Sequence, residues 1–149
     1  MAYKDLREFV ARLESAGELK RIRMPFSPEL EITEVADRAM KCGGPALLIE
    51  QPTGFDIPVL INAFGSKRRM AMALGVEDID EAARRIEELV KMEVPEGFIG
   101  KLKMLPSLVK LSASFPKSVK SGICQEVILR GDEASLDRFP ILKCWPGDG

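Results

Sequence analysis

The stretch from residue 30 to residue 49 is the sequence feature that most limits what this chain can fold into. Apolar residues recur at helical spacing from Ile32 to Met40, as expected for a helix with one buried face. Gly43-Gly44-Pro45 then ends the helix, because glycine and proline interrupt regular backbone structure. The next four residues, 46–49, are all apolar, which is typical of a strand covered on both faces. A helix that leads directly into such a strand predicts an α/β layer structure.

Five further elements are predicted around this pair from periodicity and capping residues. They are a helix at 4–16, a strand at 19–22, a strand at 58–61, a helix from the cap Ser66 to Gly75, and a helix from 79 to 91 that is capped by Asp78 or Asp80. Ser27 followed by Pro28 predicts the start of the second helix, as a cap and a first helical position. Residues 1–92 are therefore predicted to form a small α/β layer domain.

The remainder of the chain has a different character. Residues 93–122 are interrupted by proline and glycine and carry five lysines, so they are predicted to be a helical or irregular connector with short helices around 102–105 and 107–111. From 123 to 149, apolar runs on either side of the acidic turn 131–133 predict two strands that begin a second sheet or barrel. Because the sequence stops within a proline- and glycine-rich turn, we expect it to be the front part of a longer protein.

Composition excludes several classes of function. The chain contains no histidine, so neither a Ser-His-Asp nor a Cys-His catalytic site can be built from it. A net charge of −1 gives no reason to expect nucleic acid as a partner. No apolar run approaches the roughly 20 residues of a membrane-spanning helix, and the N-terminus has no signal peptide. The three cysteines are predicted to be buried free thiols, which favours the cytoplasm.

Four local features of the sequence are candidate functional sites. The segment 65–69 combines a helix start with three cations and could bind phosphate, but it lacks the phosphate-loop pattern, and a basic surface helix is the alternative. The lysines of 101–120 predict a solvated face or a subunit contact, because too few aromatics accompany them for nucleic acid. The acidic pairs at 77–78 and 132–133 are predicted to cap helices and mark turns. The loop 145–149 places the single tryptophan on a constrained turn, as loops beside ligands often do.

Four stretches of the sequence resemble the UbiD-like decarboxylases. They are YKDLREFVARLESAGELKRI (Tyr3–Ile22), LEITEVADRAMKCGGPALLIE (Leu30–Glu50), NAFGSKRRMAMALG (Asn62–Gly75) and CQEVILRGDEASLDRFPILKCWPGDG (Cys124–Gly149). The last stretch is similar to the entry of those enzymes into their flavin-binding domain. The resemblance covers essentially the whole chain, in order and with matched spacing.

The resemblance implies a reversible, non-oxidative carboxy-lyase that acts on aromatic or α,β-unsaturated acids. Family members use prenylated FMN held with manganese, and often potassium, and they have an α/β N-terminal domain, a split-barrel flavin domain and a C-terminal domain that drives oligomerisation. Their catalytic and metal-binding residues follow the stretch that corresponds to 145–149, so none can be assigned in this chain. Trp145 and Asp148 are expected to lie near the cofactor region of the complete enzyme.

The resulting prediction is the N-terminal fragment of a cytoplasmic decarboxylase that is inactive alone. Residues 123–149 would begin the flavin-binding split barrel, and the partners would be the remainder of the chain and, in the parent enzyme, further copies of itself. Benzoate precursors of ubiquinone biosynthesis, cinnamate-like acids and phosphorylated isoprenoid-pathway acids remain open as substrates. The alternative is a free-standing α/β interaction module that pairs with a partner or with itself through exposed strands at 124–145.

Overall fold

The computed structural model describes residues 3–91, 115–116 and 118–148. Its helices and strands follow one another in the order that the sequence predicts, and the α/β fold class is confirmed. The elements are α1 (Leu6–Ser15), β1 (Leu19–Ile22), α2 (Glu31–Lys41), β2 (Ala46–Ile49), β3 (Val59–Ile61), α3 (Lys67–Leu74) and α4 (Ile79–Val90). Three 3₁₀ turns follow, at Ile123–Gln125, Gly131–Glu133 and Leu136–Arg138.

The strands form a three-stranded mixed sheet in the order β1-β2-β3. β1 and β2 are parallel, with Leu19 opposite Ala46, and α2 makes the crossover between them. β2 and β3 are antiparallel, with Leu47 opposite Ile61. β2 is therefore the central strand, and its predicted burial on both faces is observed.

Two small apolar clusters lie on opposite faces of β2, because successive side chains of a strand point in opposite directions. On one face Ala46 packs with Phe9 and Leu13 of α1. On the other face Leu47 and Ile49 pack with Ile32 of α2, and all three side chains are buried. α1 and α2 thus cover the two sides of the sheet, which gives the layered structure its core.

Local capping explains three of the helix boundaries. Asp5 Oδ1 accepts a hydrogen bond from the backbone N of Glu8 at 2.9 Å, and Ser66 Oγ accepts one from the backbone N of Arg69 at 3.2 Å. Gly75 ends α3 in the left-handed conformation, with a φ of 66°, where a side chain would be strained. The predicted cap Ser66 and the predicted stop at Gly75 are confirmed.

The predicted start of α2 at Ser27 and Pro28 is wrong. The helix begins at Glu31, and the preceding residue, Leu30, has a φ of 67°. The reason is a long-range contact. Pro28 O accepts a hydrogen bond from Lys143 N at 3.1 Å, and Leu30 N donates one to Lys143 O at 3.0 Å. This pairing holds 28–30 in a non-helical turn, so the helix starts only after it.

The three cysteines are free, as predicted, but they are exposed rather than buried. Cys42 lies at the C-terminal cap of α2 and Cys144 lies in a surface loop, and such positions leave a side chain open to water. The apolar stripe of α4 is also covered only in part, since Ile86 and Val90 are exposed.

The two strands predicted within 123–149 do not form. The structure has 3₁₀ turns there instead, and Val127 and Ile128 are exposed in irregular backbone. A strand needs a hydrogen-bonded neighbour, and in the described part of this segment only Lys143 forms a bridge, to Glu29. The start of a flavin barrel at 123 therefore stays a prediction.

The described residues fall into two compact units. One contains residues 3–86 together with 135–148, and the other contains the described residues between 87 and 134. The tail 135–148 thus belongs to the α/β unit, and the side chain of Leu142 packs against the cluster around Ile32. The short helices predicted around 102–105 and 107–111 lie outside the described residues. In the described part of the chain, no helix is both long enough and apolar enough to cross a bilayer.

Candidate functional site

The loop that carries the predicted site residues Trp145 and Asp148 is fixed to the start of α2. Its first residue, Lys143, makes the two backbone hydrogen bonds to Pro28 and Leu30, which form an isolated parallel bridge. The left-handed backbone of Leu30 is the cost of this arrangement, because a φ above zero is unfavourable for a side chain of this size. The segment 143–148, here called the Trp145 loop, is therefore held in a defined position.

Asp148 closes the Trp145 loop into a turn. Its Oδ2 accepts hydrogen bonds from the backbone N of Cys144 at 3.0 Å and from the backbone N of Trp145 at 2.9 Å. Its own backbone N donates to Trp145 O at 3.0 Å. The structure thus brings the two predicted site residues together, with Asp148 setting the backbone of the turn and the Trp145 ring 71% exposed.

We expect Asp148→Ala to loosen this turn. The change removes one carboxylate that satisfies two backbone N–H groups, a loss of about 1 kcal/mol in local stability. Amide hydrogen exchange at Cys144 and Trp145 should accelerate by about fivefold, while exchange in β2 stays unchanged. Asp148→Asn keeps an acceptor oxygen and should give a smaller effect. Equal exchange rates in all three proteins would contradict this account of the turn.

A cleft of about 500 Å³ lies between the Trp145 loop and one face of α2. Leu30 and Trp145 supply apolar surface, and Glu34 and Asp37 supply carboxylates. Asp37 Oδ2 lies 2.5 Å from Lys41 Nζ, and this hydrogen bond raises the pKa of Lys41 above its ordinary value. The cleft is therefore lined by an exposed aromatic ring on one side and by α2 on the other. Both acids on this face of α2 have cationic partners, Arg38 for Glu34 and Lys41 for Asp37.

This cleft does not fit the phosphate of a flavin nucleotide. The lining contains one lysine, which is already bound to Asp37, so it offers no unpaired cation to a phosphate group. Asp148 is engaged with its own backbone turn and offers no free carboxylate oxygen pair. Among the residues that the structure describes, no three or more cysteine, aspartate or glutamate side chains come together as a metal site.

The basic segment 65–69 differs from a simple surface helix. Arg69 is 2% exposed, and its Nη1 lies 2.9 Å from Glu18 Oε2, while the exposed Arg68 lies 3.0 Å from Glu18 Oε1. One carboxylate therefore binds two of the three cations that suggested a phosphate site. Sequence reasoning missed this ion pair, because Glu18 lies 51 positions earlier and no local pattern connects the two residues.

The profile of the 3-octaprenyl-4-hydroxybenzoate carboxy-lyase N-terminal domain matches residues 10–90, more than half of the chain. The UbiD-class enzyme HmfF from Pelotomaculum thermopropionicum, solved with FMN, is 32% identical over 60% of this chain and 20% of its own, with a TM-score of 0.51. An evolved dimeric form of HmfF with prFMN is 31% identical, with a TM-score of 0.53, and the match covers 62% of this chain and 21% of that one.

The closed form of vanillic acid decarboxylase from Sedimentibacter hydroxybenzoicus is similar to the same degree. It is 32% identical over 62% of this chain and 21% of its own, with a TM-score of 0.52. The chain spans about one fifth of the length of the solved structures that it matches. The family match and the shared α/β architecture agree, and the chain belongs to the UbiD family of carboxy-lyases, of which it contains the N-terminal domain.

Proposed function

We propose that this chain serves as the N-terminal part of a UbiD-class decarboxylase that acts on an aromatic or α,β-unsaturated carboxylic acid. The observation that carries the proposal is the family match over residues 10–90, which runs from within α1 to the end of α4. The chain spans only about a fifth of its solved relatives and has no histidine, so we propose that it is inactive by itself.

The cofactor of the parent enzyme would be prenylated FMN. HmfF has been solved with FMN and with prFMN, which supports a flavin in the enzyme to which this domain belongs. Manganese and potassium follow from the family resemblance alone. When bound, the prenylated flavin would supply the chemistry of carbon dioxide release, and the α/β unit would contribute a rigid scaffold. Trp145 and Asp148 would lie near the cofactor region only in the complete enzyme.

The partners would be the remainder of the decarboxylase and further copies of it. One solved form of HmfF is dimeric, which supports an oligomeric parent enzyme. Free cysteines remain compatible with the cytoplasm as the compartment. A role in ubiquinone biosynthesis is one of the open substrate assignments, alongside cinnamate-like and isoprenoid-pathway acids.

The proposal is tested by adding prenylated FMN and manganese to the purified 149-residue chain. We expect no saturable flavin binding by equilibrium dialysis and no carbon dioxide release from aromatic acids, because the cleft beside the Trp145 loop does not fit a flavin nucleotide and the described residues contain no metal cluster. Vanillic acid decarboxylase, assayed with its own acid in parallel, is the positive control. Tight flavin binding or turnover by the chain alone would contradict the proposal that it is inactive without the remainder of the enzyme.

A free-standing interaction module is the second candidate. Ile123 and Val127 are exposed in a segment without strand partners among the described residues, and such apolar surface can bind another chain. The family match makes this function the weaker of the two. Sedimentation equilibrium distinguishes them, since a monomer at high concentration argues against self-association through this segment.

A further inference from the structure

The guanidinium of Arg69 is bound at only one of its ends. Nη1 pairs with Glu18, whereas Nε and Nη2 are fully buried and have no hydrogen-bond partner in the described part of the chain. Leaving two buried donors unsatisfied is costly, so such groups call for a specific explanation. Nε and Nη2 also form the side of the guanidinium that binds a carboxylate or phosphate through two parallel hydrogen bonds.

This unused side lies at the start of α3. Nη2 is 3.0 Å from the point that a Cβ on Gly65 would occupy, and Gly65 directly precedes the capping residue Ser66. The first N–H groups of a helix have no partner within the helix and carry partial positive charge. Lys67, Arg68 and Arg69 together outnumber the one carboxylate of Glu18, so the surroundings keep an excess of positive charge.

The turn beside the Arg69 side chain contains a residue with a positive φ. Asn62 has a φ of 57°, and its Nδ2 donates to Pro45 O at 2.9 Å. Asn62 Oδ1 lies against the same point beside Gly65 as Arg69 Nη2, but the two side chains form no hydrogen bond in the structure. A small shift of the turn would therefore uncover two donors while the contact between Arg69 Nη1 and Glu18 stays in place.

We propose that the start of α3 is a binding site for a small oxyanion, held by Nε and Nη2 of Arg69 and by the first N–H groups of the helix. The ligand is a phosphate or carboxylate group that enters when the turn 62–66 shifts. The site is separate from the Trp145 loop and does not depend on the decarboxylase assignment. Glu18 stays at the Nη1 end and holds the guanidinium in place.

The test uses NMR of the 149-residue protein titrated with inorganic phosphate, against sodium chloride at equal ionic strength. We expect saturable shifts of the Arg69 Nε–Hε signal and of the backbone amides of Lys67 and Arg68. Titration with acetate then distinguishes a general carboxylate site from one that prefers phosphate. Shifts that do not saturate, or that chloride reproduces, would mean an adventitious ion only and would overturn the proposal.

Three variants sharpen this test. Arg68→Gln removes an exposed neighbouring charge and should weaken phosphate binding by about threefold. Arg84→Gln removes an exposed charge elsewhere and should leave the affinity unchanged. Arg69→Lys keeps the charge but loses the two-donor geometry, and should weaken binding by about tenfold or more. If Arg69→Lys does not fold, the phosphate titration of the natural protein, followed by its Arg69 Nε–Hε signal, still tests the proposal. Equal affinity in the Arg68 and Arg84 variants would contradict the site.

Discussion

Replacing Ile49 with alanine is expected to lower the free energy of unfolding by about 3 kcal/mol, because a fully buried isoleucine leaves both lost contacts and a cavity. Ile49 is 0% exposed and lies at the end of the central strand, opposite Ile22 on one side and Val59 on the other. It also packs with Ile32 of α2. Urea denaturation followed by circular dichroism measures the change.

Ile86→Ala is the matched control for this prediction. It removes the same atoms from a side chain that is 62% exposed on α4, so the stability should change by no more than about 0.5 kcal/mol. Similar losses of stability in the two variants would contradict the conclusion that the core consists of the two clusters on β2.

Gly65→Ala is expected to destabilise the protein by about 2 kcal/mol, the usual cost of forcing extra volume into a packed site. A Cβ at this position would lie 1.7 Å from Asn62 Oδ1 and 2.8 Å from its Cγ. The Asn62 side chain cannot simply turn away, because its Nδ2 is bound to Pro45 O. The added methyl group therefore displaces either the asparagine or the start of α3. Thermal denaturation at matched protein concentration provides the measurement.

Gly147→Ala serves as the comparison for this change. A Cβ on Gly147 meets no atom within 4 Å, so only a small effect is expected. A Gly65 variant as stable as the Gly147 variant would show that the Asn62 side chain does not fill the space beside Gly65.

The sequence predicted the α/β unit well because its signals there are local. Helical spacing fixed α1 and α4, the apolar run 46–49 fixed β2, and Ser66 with Gly75 bounded α3. The predicted start of α2 was wrong because a distant residue, Lys143, forms hydrogen bonds with Pro28 and Leu30. The Ser27-Pro28 pattern had predicted that this backbone would be helical. A long-range hydrogen bond of this kind leaves no trace in local periodicity.

The candidate sites were predictable only in part. The single tryptophan on a constrained turn predicted a loop of the kind found beside ligands, and that stays a prediction. The closure of the turn by Asp148, and its pairing with the segment before α2 across more than a hundred residues, leave no local signal in the sequence. The segment 65–69 was correctly placed at a helix start, whereas the burial of Arg69 was not foreseen. A basic residue is normally exposed, and only Glu18 together with the turn at Asn62 makes burial possible here.

We propose that this chain acts as the N-terminal domain of a UbiD-class decarboxylase, and the activity of a chimaera tests this claim. The N-terminal domain of Sedimentibacter hydroxybenzoicus vanillic acid decarboxylase would be replaced by residues 1–91 of this chain, with the same enzyme lacking that domain as the control. We predict that the chimaera binds flavin and releases carbon dioxide from vanillic acid, at a rate well above that of the truncated control. A chimaera that folds and assembles like the parent enzyme, yet is no more active than the truncated control, would contradict the claim.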